Sequence, residues 1–357
     1  MNQTTRIETQ RRRGAEKNAL LGAALIYSSP RRRAGSSALN SLDSGFRRND
    51  GSGINQCFLN SAPLRLCVKL FCQLCALAAI SPLPAAHADL VVKDDTGYEL
   101  RLKGPAKRII TLAPHAAESL YAAGAGSRLV GTVDYSDYPP EAKQVPRVGG
   151  YSRIDLEAVA ALKPDLVLAW ESGNNMTQVD KLRALGLNVY VSQPNKMENV
   201  ADQLERMGQL AGTEAAANAA AASFRKRLEG LKAANAGKPK VRVFYQIWKS
   251  PLMTVGGPQI ISDAITLCGG ENIFGKLKQM APTVSVEAVL EADPEAIVAT
   301  GMGDAKPEWL HDWDKWTRLT AVKRGNLFHI NPDIMQRHTP RILDGAEKLC
   351  AHLDVAR

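Results

Sequence analysis

The chain has 357 residues and a formal net charge of +9. The excess is local: residues 1–88 hold 12 Arg and Lys against 4 Asp and Glu, a net of +8, which leaves +1 for residues 89–357. A nearly neutral remainder carries no electrostatic footprint for nucleic acid, so that class of partner is excluded.

Residues 1–67 combine clustered Arg with Ser, Gly and Asn, without the sustained apolar period needed to bury a core. They are expected to be untranslated upstream sequence or disordered, with translation starting at Val68. The stretch VKLFCQLCALAAISPLPAAHA then has one Lys, an apolar run and a small-x-small ending at Ala86-His87-Ala88. It is the pattern of a secretory signal peptide over residues 68–88, cleaved after Ala88, which places the mature protein in the periplasm. The apolar run is too short to span a membrane, and no later stretch is long enough. Neither Cys72 nor Cys75 follows the small residue that a lipoprotein site needs. Cys57, Cys67, Cys72 and Cys75 all lie in the removed part, which leaves Cys268 and Cys350; a lone pair in an exported protein usually forms a disulfide.

Asp89 to Leu102 alternates weakly around the turn Asp94-Asp95-Thr96-Gly97 and predicts a short hairpin. A buried strand follows at Arg108 to Leu112, a short helix reaches Gly124, and Leu129 to Val133 is the next strand. Loops rich in rings come next, Tyr135 to Pro140 and Val148 to Tyr151. The helix DLEAVAALK from Asp155 runs into Pro164 before the strand Asp165 to Trp170, then a helix Thr177 to Leu185 and a strand Asn188 to Ser192. This β/α alternation predicts a parallel sheet covered by helices on both faces. Asn195 and Glu198 are expected to form a capping box for a helix that ends at Gly212.

The segment 213–235, TEAAANAAAASFRKRLEGLKAAN, is one long helical pattern with Thr213 as its expected N-cap. Ala217, Ala220, Ala221, Phe224, Leu228 and Leu231 form its apolar stripe, while Arg225, Lys226, Arg227, Glu229 and Lys232 fill a wet face. At about 1.5 Å per residue it reaches roughly 32 Å, which suits either a long surface helix or a strut between two lobes. The alternation then restarts. Strands are expected at Val241 to Ile247, Ala296 to Thr300 and Leu327 to Ile330, and helices at Ile260 to Leu267, Val286 to Glu291, Trp309 to Leu319 and Pro340 to Leu353. An internal echo favours the strut: DLEAVAALKPDLVLA from Asp155 and SVEAVLEADPEAIVA from Ser285 each open a short helix with an N-cap and an acid, and end it at Pro before a buried strand. The domains are therefore an α/β lobe at 89–212, a backbone helix at 213–235 and a second α/β lobe at 236–357. Glu157 and Glu287 are either simple helix-dipole complements or two equivalent carboxylates of a symmetric docking surface.

No G-x-S-x-G, H-E-x-x-H or Walker A sequence occurs, and Gly124-Ala125-Gly126 follows a helix instead of joining a strand to one, so no enzyme is expected. His311 and His329 are assigned structural or surface places. His115 sits just past the first strand, where open α/β sheets bind ligands; it lines a cleft or, less simply, ligates a metal. Tyr135, Tyr138, Tyr151 and Trp170 in the first lobe, with Ile247, Trp248 and Met253 in the second, put rings and bulk at strand ends, which suits a large planar ligand. The rival place for Trp170 and Trp248 is the lobe cores. Asp333 and Arg337 could add polar contacts, or cap a turn and pair on the surface.

RIITLAPHAAESLYAAGAG, VDYSDYPPEAKQVPRVGGYSRIDLEAVAALKPDLVLAW, VFYQIWKSPLMTVGG, CGGENIF and the spacing to NPDIMQRHTPRILDGAEKLC resemble the periplasmic cobalamin-binding proteins of ABC importers. These belong to the helical-backbone binding proteins, which include haem and ferric-siderophore binders. The resemblance implies two Rossmann-like lobes, parallel sheets flanked by helices, joined by a single long backbone helix with the ligand in the cleft between them. It implies a monomer that carries cobalamin as transported ligand, not cofactor, and docks on a permease dimer through Glu157 and Glu287, with Cys268 and Cys350 paired. Tyr135, Tyr151, Trp170, Ile247, Asp333 and Arg337 take ligand-site positions by this resemblance. The chain departs from the best-known pattern at three aromatic positions, with Tyr151 for a Trp, Ile247 for a Phe and Ala281 for a Trp. A haem or siderophore carrier is the first alternative: His115 or Tyr151 on the metal would mark haem, an Arg-rich cleft a siderophore. An exported metal-dependent enzyme is the second, and needs His115, Asp333 and His338 to converge.

Overall fold

The structure, a computed structural model, describes residues 89–301 and 306–357; the expected upstream segment 1–67 and signal peptide 68–88 lie outside the described residues. Strands β1 (Leu90–Lys93) and β2 (Glu99–Leu102) form the expected antiparallel hairpin. Asp94 Oδ1 closes its turn by accepting from the backbone N–H groups of Thr96 and Tyr98, both at 2.9 Å, the local bonding that suits Asp to turns.

The first sheet is built from β3 (Ile109–Thr111), α1 (Pro114–Ala122), β4 (Leu129–Thr132), α2 (Leu156–Ala161), β5 (Leu166–Trp170), α3 (Met176–Ala184) and β6 (Val189–Ser192). Its strands run parallel in the order β4-β3-β5-β6. Every residue of β5 and β6 is buried, as a sheet covered on both faces requires of its strands.

Helices α4 (Met197–Ala211) and α5 (Glu214–Asn235) pack against each other and are separated by Gly212, whose φ of 60° is the left-handed turn that stops α4. Two expected caps are corrected here. Thr213 makes no cap to α5; its hydroxyl donates to the Ala123 carbonyl at 2.7 Å, which ties the helix junction to the end of α1. The box at the start of α4 is not Asn195 with Glu198: Asn199 Oδ1 accepts from the Lys196 N–H at 3.0 Å, and Glu198 pairs with Lys232. Tertiary partners draw Thr213 and Glu198 away from capping, and Asn199 supplies the local cap of α4 instead.

The second sheet contains β7 (Val241–Trp248), β8 (Met253–Thr254), β9 (Gly270–Asn272), β10 (Ala296–Ala299) and β11 (Leu327–His329). β11, β10, β7 and β9 are parallel, and only β8 runs against β7. Around them lie α6 (Ile260–Leu267), α7 (Val286–Ala292), α8 (Thr320–Lys323), α9 (Pro332–Met335) and α10 (Ile342–Ala356). The continuous helix expected from Trp309 to Leu319 is instead a 3-10 segment, Glu308–Trp313, followed by the separate α8. Asp293 fixes the start of α8, since its carboxylate accepts from the Thr320 N–H at 2.8 Å and the Thr320 hydroxyl at 2.7 Å.

Residues 89–357 all fall within one compact unit. Alternation along β7 and β10 explains how its core is shared. Val243, Tyr245, Ile247, Ala296 and Val298 join a cluster that runs through Phe224 and Leu228 of α5 to the first sheet. Phe244, Ile297 and Ala299 point to the opposite face and pack with Leu310 and Trp313. The long helix packs on α4 and, to a smaller extent, on α1, α6 and α10, and buries its stripe of Ala217, Ala221, Phe224 and Leu228 against helices of both halves, which is the strut. Its wet face is more connected than its composition implied. Arg225 pairs with Asp202 and Glu205 on α4, and Arg227 with Asp344 and Glu347 on α10. Cys268 at the end of α6 is bonded to Cys350 on α10, with Cα atoms 4.7 Å apart.

Candidate functional site

The carboxyl end of the first sheet gathers rings from segments far apart in sequence. Trp170 ends β5, and Gly173 lies under its indole: a Cβ there would come within 1.8 Å of the ring, so only glycine lets the loop close over it. Gly149, at φ +96°, turns the loop that presents Tyr151. His115 follows Pro114 at the start of α1. The His115 and Trp170 ring centroids are 4.9 Å apart, edge to face, and those of Tyr151 and Trp170 are 6.4 Å apart. Across from them His338, in the segment between α9 and α10, lies 5.2 Å from His115 and 5.8 Å from Trp170.

One side chain holds this cluster together. Asn174 Oδ1 accepts from the Trp170 N–H at 2.6 Å, while its Nδ2 donates to the carbonyls of Leu112 at 2.8 Å and Tyr151 at 2.7 Å. It joins the end of β3, the Tyr151 loop and β5. In the second sheet Gln246 has a matching place: Nε2 donates to the Trp248 carbonyl at 3.3 Å and Oε1 accepts from Trp313 Nε1 at 2.8 Å.

Burial sorts the expected residues. Tyr135 and Trp248 are exposed, at 40% and 37%, whereas His115, Tyr151, Trp170 and Ile247 are buried. Tyr135 has φ +64°, a left-handed conformation that costs a non-glycine residue about 1–2 kcal/mol. Its carbonyl accepts from Arg337 Nη2 at 3.5 Å. Asp333 does not cap the turn, a part taken by Asn331, whose Oδ1 accepts from the Asp333 N–H at 2.7 Å. Asp333 instead pairs with Arg337 at 2.9 Å, and Arg337 also reaches Asp137 at 2.7 Å. Arg337 is therefore no free surface cation.

Burial pushes the Tyr151 phenol up to about 12, with Tyr135 adding to the shift. It pushes the His338 imidazole down to about 4. His115 is held well below the usual imidazole range, first by burial and then by repulsion from His338 and Arg337. All three are neutral at pH 7. His115 Nε2, Tyr151 Oη, Trp170 Nε1 and His338 Nδ1 are buried without a hydrogen-bond partner. Among the described residues no three His, Cys, Asp or Glu are grouped to hold a metal ion, so His115, Asp333 and His338 do not converge as the enzyme alternative requires.

The echoed segments superpose in their chemistry. Asp155 Oδ1 accepts from the N–H groups of Glu157 and Ala158 at 3.1 and 3.0 Å, and Ser285 Oγ from that of Ala288 at 3.2 Å. Each cap starts a short helix with an exposed Glu in its first turn, Glu157 on α2 and Glu287 on α7. The Glu287 carboxyl is held below its ordinary range by hydrogen bonds from its own backbone N–H and from Ser285.

The sequence reasoning above missed Glu118, Asp137, Asn174, Gln246 and Arg341. Arg341 donates from Nε and Nη2 to the two oxygens of Glu118 at 2.6 and 2.5 Å, and its guanidinium carbon lies 3.7 Å from the Tyr138 ring centre. Both residues stand inside quoted motifs, but a pairing 223 positions apart leaves no local signal.

A parallel sheet and a mostly parallel one joined by one long helix, with rings and charged groups collected at strand ends, define an α/β binding-protein architecture. Known proteins agree. The family described as periplasmic binding protein matches residues 109–334, and the chain belongs to that family. It is 39% identical over 254 residues to a vitamin B12-binding protein of Vibrio cholerae serotype O1, covering 71% of this chain and 91% of that one. The crystal structure of the periplasmic vitamin B12-binding protein BtuF of Vibrio cholerae is similar with a TM-score of 0.66 and 38% identity, over 71% of this chain and 98% of that one. A periplasmic haem-binding protein from Pseudomonas aeruginosa gives 0.60 and 25%, over 69% and 92%.

Proposed function

We propose that the protein captures cobalamin or a related corrinoid in the periplasm and hands it to an inner-membrane ABC importer. The observation that carries this reading is the 39% identity along nine tenths of a vitamin B12-binding protein. The ligand occupies the cleft between a lobe at 89–212 and a lobe at 236–357, with 213–235 as the strut. Export through residues 68–88, with cleavage after Ala88, brings a monomer to the periplasm. Tyr135 and Trp248 offer exposed ring faces, and Tyr151, Trp170, Ile247 and His115 form the wall behind them. Asp333 and Arg337 supply polar contacts. Capture needs no bond chemistry and no cofactor; the corrinoid is cargo.

The state of the side chains favours a corrinoid over the two related cargoes. Haem carried on a protein ligand needs an accessible imidazole or phenol, yet His115 Nε2 and Tyr151 Oη are both buried. A ferric siderophore calls for free arginines, yet Arg337 and Arg341 are neutralised by Asp137, Asp333 and Glu118. Glu157 and Glu287 are the docking carboxylates, one exposed on each lobe, for arginines of the permease dimer.

Isothermal calorimetry on protein purified from the periplasmic fraction, with cyanocobalamin, cobinamide, haemin and a ferric hydroxamate, tests the reading. Binding of a corrinoid and neither iron ligand is expected. Absence of heat with both corrinoids would sink it.

A further inference from the structure

Glu118 sits on α1 of the first lobe with its side chain 3% exposed. Burying a carboxylate so deeply is costly unless cations and hydrogen bonds compensate it, and here both cations come from the other lobe. Arg341 binds the two carboxylate oxygens at 2.6 and 2.5 Å, and Arg337 Nη1 lies 3.9 Å from Oε2. Arg337, 11% exposed, divides its remaining donors between Asp137 and the Tyr135 carbonyl of the first lobe and Asp333 of its own. Arg341 also covers the Tyr138 ring. Two arginines, one turn apart before and at the start of α10, thus hold both α1 and the Tyr135–Tyr138 loop across the seam.

We propose that Glu118, Arg341 and Arg337 form an inter-lobe latch that fixes the spacing of the lobes and orients the Tyr135 wall, and so act as positioning residues for the bound ligand. The proposal rests on the corrinoid reading for its ligand only. Its physical basis is geometric: the two-pronged pairing of Arg341 with both oxygens of Glu118 is directional, and a small change in lobe spacing breaks it. Arg337 then serves the ligand twice, by its own polar contact and through the wall it holds in place. The left-handed backbone of Tyr135 is maintained by the same contacts.

The test uses Glu118→Gln and Arg341→Lys; the second keeps the charge and stem and loses the two-pronged geometry. Each is measured by calorimetry with cyanocobalamin and by small-angle scattering with and without it. Expected results are a loss of affinity of about tenfold or more, which is about 1.4 kcal/mol, and a ligand-free radius of gyration larger than that of the native protein that contracts on binding. The double variant should bind no more than about twofold worse than the weaker single one, as members of one linkage do. A merely structural part would lower the melting temperature without making lobe spacing depend on ligand. Affinities within twofold of the native protein with an unchanged radius overturn the latch. Should the native protein fail to bind cyanocobalamin, the corrinoid reading falls, and the latch is still judged by the ligand-free radius of Glu118→Gln: expansion supports it, identity overturns it. Should Glu118→Gln fail to fold, Arg341→Lys alone decides by the same two measurements.

Discussion

At the scale of single residues, Asn174 does the most with the least. Three backbone groups from three segments depend on one amide, and no other side chain has its shape with both donor and acceptor ends. Asn174→Ala leaves them buried and unpaired, and should destabilise the protein by about 3 kcal/mol in urea unfolding, with corrinoid affinity falling as Trp170 and Tyr151 lose their register. The histidine pair makes a second prediction. His338 titrates near about 4 when folded and near about 6.5 when unfolded, so between those values the unfolded chain binds more protons. Stability is therefore complete above the upper value and falls as pH drops through the window, by roughly 3 kcal/mol for His338 alone; His115 adds in the same direction. His338→Gln should flatten this limb of a plot of melting temperature against pH, and an unaltered limb would remove the assignment.

At the scale of elements, the long helix couples what it separates. Its stripe is buried among helices of both halves, and its arginines bridge to α4 on one side and α10 on the other. Exposed ion pairs of this kind contribute little singly, so the apolar stripe carries the stability. Leu228→Ala should cost about 2–4 kcal/mol. Because the core is continuous through that position, unfolding should stay a single transition by both fluorescence and circular dichroism; a split into two transitions would show lobes that fold independently. The Cys268–Cys350 bond reinforces the same end of the molecule, where closing a long loop contributes about 4 kcal/mol on loop-closure entropy.

For the whole molecule, a buried continuous helix and a charged seam both oppose hinge motion. Ligand capture in the native protein should leave the radius of gyration nearly unchanged in small-angle scattering, and a large contraction would contradict the strut. The docking surface proposed for delivery is a different one. Replacing both Glu157 and Glu287 by Lys reverses the charge of each exposed helix start, on elements other than those that carry the ring cluster. Uptake of labelled cobalamin by cells should be lost while calorimetric affinity is kept; retained uptake would remove the docking assignment.

Much of this was legible in the linear chain because local rules govern it. The apolar runs at β3, β5 and β7, the apolar stripe of Phe224 and Leu228, the Asp155 and Ser285 caps and the lone Cys268 and Cys350 are set by near neighbours or by elimination. Where a distant partner competed, local rules failed: Thr213 turned to Ala123, and Glu198 turned to Lys232 and left the cap of α4 to Asn199. The sequence by itself determined the two α/β halves, the helix between them and the family to which they belong, since periodicity and motif are written in consecutive residues. Only the tertiary structure decided that Glu118 meets Arg341, that Asn174 gathers the rings and that Arg337 is engaged. A buried charge finds its partner by position in space, and nothing in the spacing along the chain records that meeting.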